Sequence, residues 1–104
     1  MIVNINNIPE SVKPFLTQIA AVKEVEALVL FGSRAVGDHD ARSDVDIAVV
    51  GRNISKLQWA KLVAESAKAH TLYRLSLTHF DSNPSKLQRR ITETGVVIYV
   101  RPEA

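Results

Sequence analysis

Two aspartates, Asp44 and Asp46, stand one residue apart at the start of an apolar run that continues from Ile47 to Val50. Side chains alternate along an extended strand, so carboxylates at positions i and i+2 point to the same face. Like charges side by side on one sheet face repel each other, which gives a purely structural strand little reason to carry them. Mg²⁺ relieves this repulsion because it binds one or two carboxylates together with substrate phosphates. The pair therefore indicates a metal site.

A candidate phosphate site lies upstream, separated from Asp44 by ten residues, where the apolar run from Ala27 to Phe31 is followed directly by Gly32 and Ser33. A strand that ends in Gly-Ser and turns into a short helix presents backbone N–H groups and a positive dipole end to an anion. A phosphate cradle beside metal-binding carboxylates indicates nucleoside triphosphate chemistry. The alternative interpretation makes Gly-Ser an ordinary turn with a helix N-cap and the two aspartates solvated edge charges.

The stretch LFGSRAVGDHDARSDVDIAVV, residues 30–50, resembles the signature of the minimal nucleotidyltransferases (MNT), a branch of the DNA polymerase beta-like superfamily. A second segment, YRLSLTHFDSNPSKLQRRITETGVVIYV at residues 73–100, resembles the last strand, helix and closing strand of that family. The resemblance implies the nucleotidyltransferase fold. It also implies the family reaction, in which a hydroxyl attacks the α-phosphate of a triphosphate and pyrophosphate leaves.

The resemblance assigns roles to residues of both motifs. It implies that Asp44 and Asp46 ligate Mg²⁺, which neutralises charge on the phosphate oxygens during transfer. It implies that Gly32 and Ser33 bind the β- and γ-phosphates of ATP. The catalytic set then comprises Asp44, Asp46 and the position of the family's third carboxylate.

That third position departs from the family pattern. The family strand that corresponds to residues 74–80 carries an acidic residue that completes the metal site, and the alignment places Ser76 there. A serine hydroxyl is neutral, a weak Mg²⁺ ligand and no base. Asp81 is the nearest acidic residue along the chain, but it has the opposite strand parity and reaches the site only if a bulge resets the register.

Each of the two arginines near the first motif has two possible roles. Arg34 either contacts a phosphate of the nucleotide or pins the short helix to the loop at residues 38–40. Arg42 either contacts the triphosphate or a partner, or it is a solvated loop charge, and the second is favoured. A short basic face farther along, formed by Lys86, Arg89 and Arg90, is either solvated or attracts a nucleotide or an acidic partner.

The whole chain sets broad limits on the class of protein. Its 104 residues suit one domain spanning residues 1–104, without room for a separate substrate domain. A net charge of +2 is too small for a dedicated nucleic-acid binder, so direct nucleic-acid binding is not expected. The absence of cysteine excludes disulfides and thiolate metal sites and fits a cytoplasmic protein. No apolar run approaches the ~18 residues needed to span a membrane.

Hydrophobic periodicity and punctuating residues predict an α/β fold with a small mixed β-sheet backed by helices on one side, which leaves the carboxylates on the open face. We expect the helix that follows the Ser55 cap to turn one side to the core, the side that carries Leu57, Ala60, the stem of Lys61, Val63, Ala64 and Ala67. The expected helices run from the Ser11 cap to about Val22, from the Ser55 cap to about Ala69 and from Pro84 to Thr94, and the expected strands are Ala27–Phe31, Val45–Val50, Leu72–Thr78 and Val96–Val100.

Two functions of different classes follow from the resemblance. The first is a Mg²⁺-dependent enzyme that transfers AMP from ATP to a tyrosine of a HEPN ribonuclease toxin, as the antitoxin of a HEPN–MNT pair. The second is a weakly active or inactive MNT-like module that neutralises a HEPN partner by contact. The Gly-Ser and Asp-x-Asp motifs favour the enzyme, whereas Ser76 favours the binding module. Both predict a hetero-oligomer.

Overall fold

The computed structural model describes residues 7–40, 42–68 and 73–102. None of the helices in these ranges is both long enough and apolar enough to cross a membrane. Two 3₁₀ turns, Glu10–Val12 and Phe80–Ser82, adjoin the regular elements. In chain order, the helices and strands are α1 (Lys13–Ala20), β1 (Ala27–Phe31), α2 (Ser33–Val36), β2 (Val45–Val50), α3 (Lys56–Ala67), β3 (Leu75–His79), α4 (Ser85–Thr94) and β4 (Val96–Val100).

The four strands form one mixed sheet in the order β3-β2-β1-β4. β1 pairs antiparallel with both β2 and β4, whereas β2 and β3 are parallel. A parallel pair needs a crossover connection, and α3 supplies it between β2 and β3. The predicted fold class, a small mixed sheet backed by helices, is confirmed. The predicted bounds of β1, β2 and β4 are also confirmed.

The main core lies between one sheet face and the helices α1 and α3. Alternate strand residues such as Leu28, Leu30 and Ile47 point into it and are fully buried. Burial of such side chains stabilises a fold by roughly 1.5–3 kcal/mol each. The helices and their flanking segments contribute Val12, Leu16, Ile19 and Leu62 to the same cluster.

α4 lies against the other sheet face, so the prediction of helices on one side is only partly right. Ile91 of α4 is 1% exposed and does not belong to the main core. A Cβ at Gly95, the residue that ends α4, would press on the Val29 side chain, which points away from the main core. On the same face of β2, Ala48 is fully buried and Asp46 is half-buried.

The helix termini follow local sequence signals in one case and depart from them in another. Ser55 caps α3 as predicted: its Oγ accepts from the Gln58 N–H at 3.1 Å, and the Ser55 N–H donates to the Gln58 side chain at 3.0 Å. Ser11 does not cap the first helix, because Pro9 opens a 3₁₀ turn there and the α-helix begins at Lys13. The strand predicted at Leu72–Thr78 is observed at Leu75–His79. Its predicted start at Leu72 lies outside the described residues, whereas Tyr73 and Arg74 precede the strand.

The predicted inner face of α3 is wrong. Leu57 is 67% exposed and Val63 is 41% exposed, whereas Leu62 and Ser66 are buried. The helix carries two apolar stripes, and the one with Trp59 and Leu62 removes more apolar surface from water than the alanine-rich stripe does. Ser66 tolerates burial because its hydroxyl donates to the Val63 carbonyl at 2.7 Å. The alanine-rich stripe therefore faces outward.

Candidate functional site

The two halves of the predicted site meet where β1 ends. Phe31 pairs with Asp46 across the antiparallel ladder, and the chain then turns at Gly32 into α2. Gly32 has φ +75° and ψ −158°, a conformation open to little besides glycine. A Cβ at this position would also overlap Oδ2 of Asp46. The sequence needs glycine here because the backbone turn passes directly over a carboxylate.

The two aspartates have different environments. Asp44 is exposed in the loop before β2, whereas Asp46 is half-buried within the strand. Burial raises the pKa of Asp46 above its ordinary value, and the negative charge of Asp44 raises it further. The positive charge of Arg74 opposes this shift in the pKa of Asp46. The arrangement is a pair of carboxylates that repel each other and favour a cation between them.

Ser76 is the direct neighbour of Asp46 in the parallel pairing of β2 with β3. A third carboxylate at this position would thus lie beside the other two. Asp81 does not replace it, since its Oδ2 accepts from the N–H of Gly51 at 2.8 Å. Gly51 follows the far end of β2, roughly 16 Å along an extended strand from Asp46. Within residues 7–40, 42–68 and 73–102, no group of three or more His, Cys, Asp or Glu side chains is placed to hold a metal ion.

A groove of about 460 Å³ runs between the Gly32-Ser33 turn and α4. Arg90 and Thr94 line it from α4, and Asp38 lines it from the loop after α2. The sequence marked Arg90 only as part of a basic helix face, and Thr94 was missed altogether. The sequence signal that could have found both residues is the amphipathic pattern of α4. Because Ile91 packs against β1, the polar positions next to it on the helix border the turn.

Arg34 is 4% exposed and joins three segments of the chain. Its Nε donates to the Ser43 carbonyl at 3.0 Å, and its Nη1 donates to the Asn7 carbonyl at 2.9 Å. The guanidinium also lies 5.4 Å from the centre of the Tyr73 ring, within the range of a cation–π contact. This geometry favours the anchoring interpretation of Arg34 over a phosphate contact, although the loop segment it holds ends at Ser43 rather than at residues 38–40.

The loop before Asp44 is closed by its own side chains. The Asp40 carboxylate accepts from the N–H of Arg42 at 2.8 Å, and the N–H of Asp40 donates to Ser43 Oγ at 3.0 Å. The Arg42 side chain remains exposed, two residues before Asp44. Together with Arg34, these bonds fix the direction from which the chain enters β2. The position of Asp44 follows from them.

Comparisons with known proteins bear on this fold and site. The family model described as "Polymerase beta, Nucleotidyltransferase" matches residues 10–104. A comparison with curated proteins found no match. Several solved structures are similar in fold, three of them as follows. A toxin–antitoxin complex with AMP-PNP has a TM-score of 0.68 at 20% identity, over 93% of this chain and 75% of that chain.

The second similar structure is a mutant of the toxin–antitoxin pair MntA–HpeT, with a TM-score of 0.67 at 18% identity, over 93% of this chain and 75% of that chain. The third is a tri-AMPylated HEPN toxin of Shewanella oneidensis in complex with an MNT antitoxin. Its TM-score is 0.60 at 19% identity, over 86% of this chain and 67% of that chain. At these identities the likeness establishes the fold. Because the family model spans the sheet and every residue of the candidate site, the chain belongs to the polymerase beta nucleotidyltransferase family.

Proposed function

We propose that this protein is a Mg²⁺-dependent nucleotidyltransferase antitoxin that transfers AMP from ATP to a tyrosine hydroxyl of a HEPN ribonuclease toxin. One observation carries the proposal: the Gly32-Ser33 turn lies against Asp46, and the groove beside the turn is open. A phosphate-binding turn in contact with a metal-binding carboxylate suits a bound triphosphate. The solved complexes with AMP-PNP and with an AMPylated HEPN toxin support the choice of nucleotide and acceptor.

Different residues of the site bind the phosphates of ATP and the metal ion. The turn at Gly32 and Ser33 receives the β- and γ-phosphates, and Arg90 adds a positive charge from the opposite wall of the groove. Asp44 and Asp46 hold Mg²⁺, and their mutual repulsion makes them a fitting pair for it. The ion, when bound, neutralises charge on the phosphate oxygens.

The transfer step forms a bond between the tyrosine oxygen and the α-phosphorus and breaks the bond from that phosphorus to the β-phosphate oxygen. Pyrophosphate leaves with the electron pair of the broken bond. Ser76 offers no carboxylate to accept the tyrosine proton, so the proton passes to water. We expect slow transfer for this reason, since a positioned general base typically contributes 10²–10⁴-fold.

The acceptor hydroxyl in this proposal belongs to a partner protein. Asp44 is exposed and Asp46 is half-buried beside the Gly32-Ser33 turn that borders the groove, so a partner can approach the carboxylates from solvent. A HEPN partner in a cytoplasmic hetero-oligomer is the proposal that fits this exposed site. The solved complex of a HEPN toxin with an MNT antitoxin supports it.

A second candidate function rests on Ser76. With a neutral hydroxyl beside Asp46 where the family places a carboxylate, the protein would bind nucleotide and partner but transfer little AMP. It would then act as a binding module that neutralises a HEPN partner by contact. Both candidates share the nucleotide site and differ in turnover.

Calorimetry tests the shared site. We expect AMP-PNP to bind in the presence of Mg²⁺, with loss of binding when EDTA is added. An Asp44→Asn, Asp46→Asn double variant should not bind. Glu65→Gln is the matched control because this carboxylate is exposed on α3, away from the groove. Unchanged binding by the double variant would contradict the assignment of both aspartates.

Intact mass spectrometry of a co-expressed HEPN partner separates the two candidates. The enzyme leaves the mass of one or more adenylyl groups on the partner, whereas the binding module leaves none. Ser76→Asp should raise the rate of transfer by about 10²-fold or more, because it adds a carboxylate beside Asp46. A partner that stays unmodified with both the parent and the Ser76→Asp chain would establish the binding module.

A further inference from the structure

We infer that this site holds a single divalent ion, and that the Arg74 guanidinium stands where a second ion would otherwise neutralise the phosphates. The inference rests on the proposed nucleotide site and specifies its metal content. It concerns residues that the sequence motifs leave out, since Arg74 belongs to neither the Gly-Ser nor the Asp-x-Asp motif.

The first step concerns the supply of ligands. Two divalent ions roughly 3.5–4 Å apart need several anionic ligands to offset their repulsion. In the described part of the chain, Asp44 and Asp46 are the two carboxylates at this strand edge, since Ser76 is the residue paired with Asp46 on β3. Among the residues that the structure describes, no third acidic or histidine side chain completes a cluster. Two carboxylates together with nucleotide phosphates suffice for one Mg²⁺.

The second step concerns the position of Arg74. Its carbonyl accepts from the N–H of Val45 at 2.9 Å, so the pairing of β2 with β3 continues to Arg74. Arg74 precedes Ser76 by two residues, which directs both side chains to the face that carries Asp46. The Arg74 side chain is exposed, and its charge acts on Asp46. A guanidinium is therefore present at the edge of the carboxylate site.

The third step is a comparison of charges. Two carboxylates and one guanidinium give this face a formal charge of −1, since −2 and +1 sum to −1. One divalent ion reverses that charge and is matched by the triphosphate. A second divalent ion would face both the first ion and Arg74, with the neutral Ser76 in place of a third carboxylate beside Asp46, and this repulsion disfavours it. Arginine can neutralise phosphate charge in place of the second ion because its planar guanidinium binds two phosphate oxygens at once.

Electron paramagnetic resonance with Mn²⁺ tests the inference independently of activity. The parent chain, saturated with AMP-PNP, should bind one Mn²⁺ without spin–spin coupling between ions. The Ser76→Asp, Arg74→Gln double variant should bind two coupled Mn²⁺ ions, because it gains a carboxylate and loses the competing cation. Calorimetric titration of Mn²⁺ should give the same two stoichiometries.

Single variants test the role of Arg74. Arg74→Gln should weaken AMP-PNP affinity by about tenfold or more, as expected when a charged hydrogen bond to phosphate is lost. Arg52→Gln is the matched control, since Arg52 is exposed beyond the opposite end of β2. Two coupled ions in the parent, or unchanged AMP-PNP affinity in Arg74→Gln, would overturn the inference alone. Absence of nucleotide-dependent Mn²⁺ binding in every chain would overturn the proposed function and this inference with it.

Discussion

Gly32 lies so close to Asp46 that a β-carbon at position 32 would overlap the Oδ2 atom of that carboxylate. The contact joins the end of β1 to the middle of the paired strand β2, because Phe31 and Asp46 are register partners. The turn proposed to bind phosphate and the carboxylate proposed to bind the metal therefore cannot be altered independently. A change at either residue moves the other.

Gly32→Ala should abolish detectable AMP-PNP binding and lower the free energy of unfolding by about 1–3 kcal/mol. The alanine methyl group must displace Asp46, and the glycine-only backbone conformation adds strain. Gly37→Ala is the matched control, since Gly37 also has positive φ, at +79°, but a Cβ there meets nothing within 4 Å. We expect this control to be mildly destabilised and to bind normally. Equal binding by both variants, measured by calorimetry, would contradict the contact.

Arg34→Lys should lower the free energy of unfolding by about 2–4 kcal/mol in urea denaturation. The substitution keeps the charge but loses the fork that reaches the Ser43 and Asn7 carbonyls together, each hydrogen bond to a charged group being worth roughly 1.5–3 kcal/mol. The exposed Arg42 provides the control, because Arg42→Lys should change stability by less than about 0.5 kcal/mol. Normal stability with lost nucleotide affinity in Arg34→Lys would instead support a phosphate contact.

The sequence predicts those parts of the site that consist of residues close together along the chain. Asp44 and Asp46 on a strand edge, and Gly32 and Ser33 after an apolar strand, are visible as motifs. The contact of Gly32 with Asp46 is not, since it depends on the register between β1 and β2. The placement of Arg90 beside the turn depends in the same way on how α4 packs across the sheet. Periodicity identifies elements but does not determine how they pair.

The orientation of α3 shows the same limit for the fold. Its sequence contains a stripe with Leu57 and several alanines and a second with Trp59 and Leu62, and both have helical spacing. Which stripe is buried depends on the shape of the surface that α1 and the sheet offer. Leu62 packs into the main core at that surface. By contrast, the cap at Ser55 was predictable because a capping box involves only residues within one helical turn.

Leu62→Ala should destabilise the protein by about 2–5 kcal/mol, as expected when a buried leucine leaves a cavity. Leu57→Ala should cost less than about 0.5 kcal/mol because the side chain is 67% exposed. Thermal or urea unfolding of the isolated protein distinguishes the two. The reverse ranking would restore the originally predicted inner face of α3.

The stability of the metal-free protein should depend on pH through Asp46. Burial, and after it the charge of Asp44, raises the pKa of Asp46 in the folded state above the ordinary aspartate value of 3.8. Between the unfolded and folded pKa values the folded state binds more protons, so the free energy of unfolding decreases as pH rises through that window. Above the window, the ionised carboxylate of Asp46 remains a destabilising group.

Asp46→Asn should remove this dependence and make the protein more stable than the parent at about pH 7 in EDTA. The advantage should shrink as pH falls and should vanish below the ordinary pKa of an aspartate, where the parent carboxylate is protonated in both states. Asp44→Asn should give a smaller gain in stability because it removes the repulsion from Asp44 but leaves Asp46 buried. Arg74→Gln should widen the difference between the folded and unfolded pKa values of Asp46 because it removes the opposing positive charge. Urea denaturation across a pH series measures all four chains. A parent that is as stable as Asp46→Asn at neutral pH would contradict the raised pKa of Asp46 and the crowded carboxylate pair from which it follows.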